Sequence, residues 1–280
     1  MTFPLTLIIG SQKCGTTSLF KYLAQHPQVC ACKEKEPNFF ANDENWSKGL
    51  QWYTDLWKWN DQSHKVAIEA SPFYTITNYW SGIASKRIHD SFPEAKLIYL
   101  IRDPIRKIES ARAQGYYQGW YAKIDKTDLL EGAQYAKQIG EYHKYFATEN
   151  ILILLLEDLQ SHPKQVFEKV CDFLEIDGSF PLDLTTVHNQ RNSYRKDTLW
   201  YRLSSFASLK SLAKLIPEDL KSRLRAYLNR PVTSQSNKTA PPFTPEEIQQ
   251  IVDHLRDDLK ELQSSYGIDI SKWQTAKKIL

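Results

Sequence analysis

Residues 7–23 read LIIGSQKCGTTSLFKYL: an apolar run, a turn holding Gly10 and Gly15, and an amphipathic helical pattern. A strand that turns through glycines into a helix N-terminus offers backbone N–H groups and a positive dipole end to an anion. A nucleoside triphosphatase would carry G-x-x-x-x-G-K-[ST]. The glycine spacing is met, but Thr16 stands where that lysine belongs, and the cation lies inside the turn at Lys13. There an ammonium can meet the oxygen on which charge grows as a leaving group departs. Thr16, Thr17 and Ser18 add hydroxyl donors. A glycine turn that binds nothing is the plain alternative, and the lysine with three hydroxyl residues around Gly15 weighs against it.

Outward from this turn the chain alternates two patterns. Short apolar runs at Leu5 to Ile9, Val66 to Ile68, Lys96 to Ile101 and Ile151 to Leu156 predict buried strands. Helical periodicity is predicted over Thr17 to Gln25, Tyr79 to Ser91, Ile105 to Gln114 and Leu129 to Thr148, then from Pro163 to near Gly178. Thr244-Pro245-Glu246-Glu247 predicts a capping box opening a further helix. Strands alternating with helices imply an α/β fold: three layers, with a mainly parallel sheet flanked by helices and a nucleotide-binding phosphate loop. No internal repeat interrupts residues 1–280, and a single domain is expected.

The chain has 280 residues and a formal net charge of +3, too little for a general polyanion binder, so nucleic acid is not an expected partner. The run from Thr186 to Arg230 is nevertheless basic. Four cysteines, Cys14, Cys30, Cys32 and Cys171, contain no C-x-x-C pair, so neither a zinc site nor a disulfide framework is expected. No apolar stretch approaches a membrane span and no secretory leader pattern opens the chain, which leads to a cytoplasmic expectation.

A second phosphate motif follows the third predicted strand. In KLIYLIRDPIRKIESARAQGY, residues 96–116, Arg102 ends the strand and Ser110 lies two turns into the next helix. An arginine fork and a hydroxyl suit one phosphate. An Arg102–Asp103 structural ion pair is the competing reading. KEKEPNFF, residues 33–40, holds two carboxylates that suit a general base, Glu34 and Glu36, ahead of Phe39 and Phe40; a solvated loop before two core phenylalanines is the alternative.

The loop GSQKCGTTSL resembles the 5′-phosphosulfate loop of sulfotransferases that use 3′-phosphoadenosine-5′-phosphosulfate (PAPS), in the branch related to the heparan sulfate enzymes. The resemblance implies donor contacts from Lys13, Cys14, Gly15, Thr16, Thr17 and Ser18, with Lys13 also catalytic. It likewise implies Arg102 and Ser110 on the 3′-phosphate and, by alignment on Phe39-Phe40, Glu36 as the base. AIEASPFY, residues 67–74, is similar to a family segment that often has a lysine where Ala70 stands, which puts any acceptor contact of that lysine in doubt. Glu69 reads equally as a second site carboxylate or as the structural partner of an arginine. ILILLLEDLQSHPKQVFEKVCDFLEI and YGIDISKW resemble later family segments. Residues His188 to Arg195 resemble a loop that closes over the donor, which nominates Arg195, with Arg191 and Lys196 as rivals.

The function implied is sulfuryl transfer from PAPS to a hydroxyl or amine of a carbohydrate, lipid or other small acceptor, leaving 3′,5′-adenosine bisphosphate. No metal is implied. A nucleotide phosphotransferase and a non-catalytic nucleotide-binding relative are the alternatives. Aromatic residues crowd Trp46 to Trp59 and recur at Tyr116, Tyr117, Trp120 and Tyr121, where they suit sugar stacking or core packing.

Overall fold

The computed structural model describes residues 3–76, 81–118, 126–183 and 240–279. Among the described residues five strands, β1 (Leu5–Gly10), β2 (Val29–Ala31), β3 (Val66–Ala70), β4 (Lys96–Ile101) and β5 (Ile151–Leu155), pair in the order β2-β3-β1-β4-β5. Every pairing is parallel. All six residues of β1 are buried, because helices cover both faces and neither set of alternating side chains meets water. Sequence periodicity missed β2. Its three residues are too few to show a pattern, and it lies at the sheet edge.

Among the described residues the helices are, in chain order, α1 (Thr16–Leu23), α2 (Asp43–Trp46), α3 (Gly49–Thr54), α4 (Ser81–Ser91), α5 (Pro104–Gln118), α6 (Lys126–Glu131), α7 (Tyr135–His143), α8 (Leu156–Ser161), α9 (Pro163–Leu174) and α10 (Pro245–Tyr266). The pattern expected as one helix over Leu129 to Thr148 is divided at Gly132 and Ala133, which turn between α6 and α7. The helix opened by Pro163 stops at Leu174, short of Gly178, because Glu175 takes the left-handed C-cap conformation at φ 58°. The capping box at Thr244 and Glu247 is formed.

Two apolar layers sandwich the sheet. Leu7, Leu97, Tyr99 and Ile101 pack with Ile105, Tyr142, Leu255 and Leu259 on one face. Ile8, Ile98, Leu100 and Leu154 pack with Leu19, Leu23, Val170 and Leu174 on the other. The helix after β1 therefore lies on the opposite face from the helix after β4. In such sheets the crevice between diverging loops at the strands' carboxyl ends is where ligands bind.

By contact density the chain divides into two compact units. The first comprises Met1–Ala111, Asp125–His188 and Pro242–Leu280 and contains the whole sheet. The second comprises Arg112–Ile124 and Asn189–Pro241; its described residues are the last part of α5 and residues 240–241.

Candidate active site

The β1–α1 turn is built from two left-handed residues, Lys13 at φ 70° and Gly15 at φ 89°. Gly15 is the N-cap of α1, no side chain caps that end, and its first turn carries no acid. The positive end of the helix is thus left to an anion. The Ser11 amide donates to Leu100 O at 2.5 Å, which ties the turn to β4, and the Cys14 amide donates to Ser11 O at 3.1 Å, which closes it. A side chain at Gly15 would run into Leu156 Cδ1, 2.6 Å from its Cβ.

The threonines and serine of the motif open α1. Thr16 and Ser18 are buried, and Thr17 is half-buried. Cys14 turns into the protein, its Sγ 4.0 Å from the Tyr135 hydroxyl, and burial pushes its thiol up to about 11. The turn therefore keeps an uncharged thiol beneath it.

Arg102 leaves the end of β4 and donates from Nη1 to Lys13 O at 3.5 Å, so the two phosphate motifs meet. Its carbonyl accepts from Tyr135 Oη at 2.7 Å. Ser110 is half-buried on α5, about 9 Å along the axis from Pro104 at 1.5 Å per residue.

Asp103 is not committed to Arg102. Its Oδ1 accepts from the Ile105 amide at 3.0 Å and the Thr275 hydroxyl at 2.7 Å. Its Oδ2 accepts from the Gln274 amide at 2.5 Å and the Thr275 amide at 3.3 Å. This buried carboxylate caps α5 and clips the segment after α10 beside the Arg102 turn. Lys107, one turn further, was not singled out from sequence. It is buried, and burial lowers its ammonium to about 8, against the opposing influence of Cys14.

Glu36 follows the carboxyl end of β2, the same end of the parallel sheet at which the phosphate turn follows β1. It is half-buried in a left-handed conformation, φ 56°, with Lys35 Nζ 3.3 Å from its Oε1. Asn38 is also left-handed, φ 49°, and its side-chain amide donates to Glu36 O at 2.9 Å. Phe39 and Phe40 are fully buried, and Phe39 stacks on Tyr53 at 4.5 Å between ring centroids. The phenylalanines are core, and Glu36 stands outside it.

Glu69 has no arginine partner among the described residues. It is fully buried and accepts three hydroxyl bonds, from Tyr74 at 2.7 Å, Ser71 at 2.9 Å and Tyr53 at 3.1 Å. Burial raises its carboxyl to about 7, the three donors pull it down, and the charge of Glu36 pushes it up. Of the nearby aromatics, Tyr53 and Trp57 are buried, while Arg87 covers the Trp46 ring and Lys48 the Trp52 ring. They complete the core more than they present bare platforms. The side chains of Tyr116, Tyr117, Trp120 and Tyr121, and residues Arg191, Arg195 and Lys196, lie outside the described residues.

A family model described as "Sulfotransferase domain" matches residues 4–263. The chain belongs to the sulfotransferase domain family. It is 30% identical over 186 residues to heparan sulfate glucosamine 3-O-sulfotransferase 6 of Mus musculus, covering 61% of this chain and 52% of that one. It is also 30% identical over 203 residues to the bifunctional heparan sulfate N-deacetylase/N-sulfotransferase 4 of Mus musculus, covering 62% of this chain and 22% of that one. The chain thus spans about half the length, or less, of these curated relatives. A crystal structure of a sulfotransferase from Alicyclobacillus acidocaldarius shares the fold, with TM-score 0.65 and 19% identity, over 98% of this chain and 100% of that one. Among the described residues of this sulfotransferase-family chain, no helix is long and apolar enough to cross a membrane.

Proposed function

We propose that this chain is a PAPS-dependent sulfotransferase acting on a hydroxyl or amine, and that its two units form one sulfotransferase domain, in line with a family match running through both. The observation that carries the proposal is the convergence of Lys13, on an uncapped left-handed turn, with Arg102, which reaches the Lys13 carbonyl from the next strand. These residues fit a donor with phosphate at both ends. When bound, PAPS supplies a sulfuryl group joined to a 5′-phosphate leaving group.

Lys13 and the first-turn amides and hydroxyls of Thr16, Thr17 and Ser18 hold that phosphate, and Lys13 neutralises the charge that develops there. Arg102 and Ser110 take the 3′-phosphate. Glu36, half-buried and clear of the core, accepts the acceptor proton. The names of the relatives favour a glycan acceptor. Ala70 is buried where the heparan-type pattern often has lysine, which favours an acceptor held differently. The four described thiols are free and buried, which favours a reducing compartment such as the cytoplasm.

The test is transfer of labelled sulfate from PAPS to glycans, lipids, phenols and amines, with Glu36→Gln run beside the wild type. Transfer to one acceptor class, lost in E36Q while 3′,5′-adenosine bisphosphate still binds, is the expected result. No transfer to any class together with no binding of the bisphosphate refutes the reading.

A further inference from the structure

Glu69 cannot touch an acceptor, since none of it is exposed, and no cation balances it among the described residues. Its bonds run outward. Ser71 Oγ, which donates to Glu69 Oε2, in turn accepts from the Asn38 amide at 3.1 Å. Tyr74 Oη, which donates to Glu69 Oε1, accepts from the Phe40 amide at 3.5 Å. One buried carboxylate therefore holds, through two hydroxyls, two backbone amides of the Glu36–Phe40 segment. Within that segment Glu36 and Asn38 both occupy the left-handed region, which non-glycine residues keep only when their surroundings impose it.

We propose that Glu69 is a positioning residue for transfer: through Ser71 and Tyr74 it fixes the left-handed turn from which Glu36 reaches the acceptor. This rests on Glu36 being the base. The ionised carboxylate is acceptor-only and matches all three hydroxyl donors, whereas a protonated Glu69 brings a donor of its own and one hydroxyl must turn away. The groups facing it are Tyr53 of α3, Ser71 and Tyr74 after β3, Tyr142 of α7, Cys32 after β2 and Glu36. Burial raises all three tyrosines well above their usual range and Cys32 to about 12, which leaves Glu69 as the group that titrates near neutrality.

The experiment compares Ser71→Ala, Tyr74→Phe, Glu69→Gln and Glu36→Gln for kcat, KM for PAPS, binding of 3′,5′-adenosine bisphosphate and the pH profile of kcat. S71A and Y74F each remove one relay. In variants that bind the bisphosphate as the wild type does, kcat is expected to fall about 10- to 100-fold, the scale of a slightly misplaced catalytic group. KM for PAPS stays within about twofold, because the donor loop is not part of the relay. In E69Q the acid limb of the profile moves to lower pH. If E36Q turns over normally, the base assignment itself fails. If E36Q is inactive while S71A and Y74F keep wild-type kcat and E69Q keeps the wild-type profile, the positioning role is overturned and the base stands. Loss of bisphosphate binding in S71A, Y74F and E69Q alike also overturns it, making Glu69 a core group only.

Discussion

Replacing Gly15 with alanine is expected to destabilise the protein and weaken the phosphate turn together. At φ 89° and ψ 11° an L-residue pays the left-handed penalty, about 1–2 kcal/mol. The new Cβ also meets Leu156 Cδ1 at 2.6 Å. That methyl ends a side chain and can swing, so crowding adds about 1 kcal/mol, the low end for overpacking. A stiffer unfolded chain returns roughly 0.4–1 kcal/mol. The net loss is about 1–2.5 kcal/mol, read as a lower urea midpoint at unchanged slope. Adding Leu156→Ala removes the clash but not the left-handed penalty, so the double variant should show a favourable coupling of about 1 kcal/mol. Titration with 3′,5′-adenosine bisphosphate should show weaker binding as the amides of the turn lose their aim. A loss within about 0.5 kcal/mol, typical of an unconstrained surface site, with unchanged binding would refute this account of the turn.

Arg102→Ala should weaken bisphosphate binding about 10- to 100-fold, the loss of a charge-assisted contact, and calorimetry showing less than a twofold change would remove Arg102 from the donor site. Thr275→Ala removes one donor from buried Asp103 and should cost about 1.5–3 kcal/mol in urea unfolding, with Thr275→Ser close to wild type. Stability should fall as pH rises through roughly 6 to 7. Burial lifts Asp258 to about 6 and Glu69 to about 7 in the folded protein, so the native state holds protons that the unfolded chain releases. Their contribution is present at low pH and lost as each folded value is passed, and Asp258→Asn should flatten the drop in urea midpoint between pH 5 and pH 8. A midpoint that rises over that interval would contradict the sign.

What could be read from sequence was what is local in the chain. The glycine turn with Lys13, the strand-to-helix step at Arg102 and the capping box at Thr244 each lie within a few consecutive residues, and each has the expected backbone. Partnerships across long separations were not readable. Asp103 looks like an ion-pair partner for its neighbour, yet its donors include Gln274 and Thr275, 171 and 172 positions away. Glu69 was left between two roles because nothing in AIEASPFY shows that Tyr53, from α3, closes over it. Nothing in the residues around Lys107 marks it as buried. Its burial depends on the turn at Gly132, whose Cβ position lies 2.9 Å from the lysine Nζ. The edge strand β2 was missed because hydrogen bonding to β3, more than its own residues, makes it a strand.

Cys14 gives the phosphate turn a chemical handle. Its sulfur is wholly enclosed, against Tyr135, and its thiol stays protonated at neutral pH. An alkylating reagent reaches it only after the turn lifts away from β4, so labelling at this position, assigned by peptide mass, times that opening. A bound anion that holds the turn closed would slow the labelling in proportion to occupancy. The protein thus carries its own clock for loop opening, readable without a chromophore and without the acceptor being known.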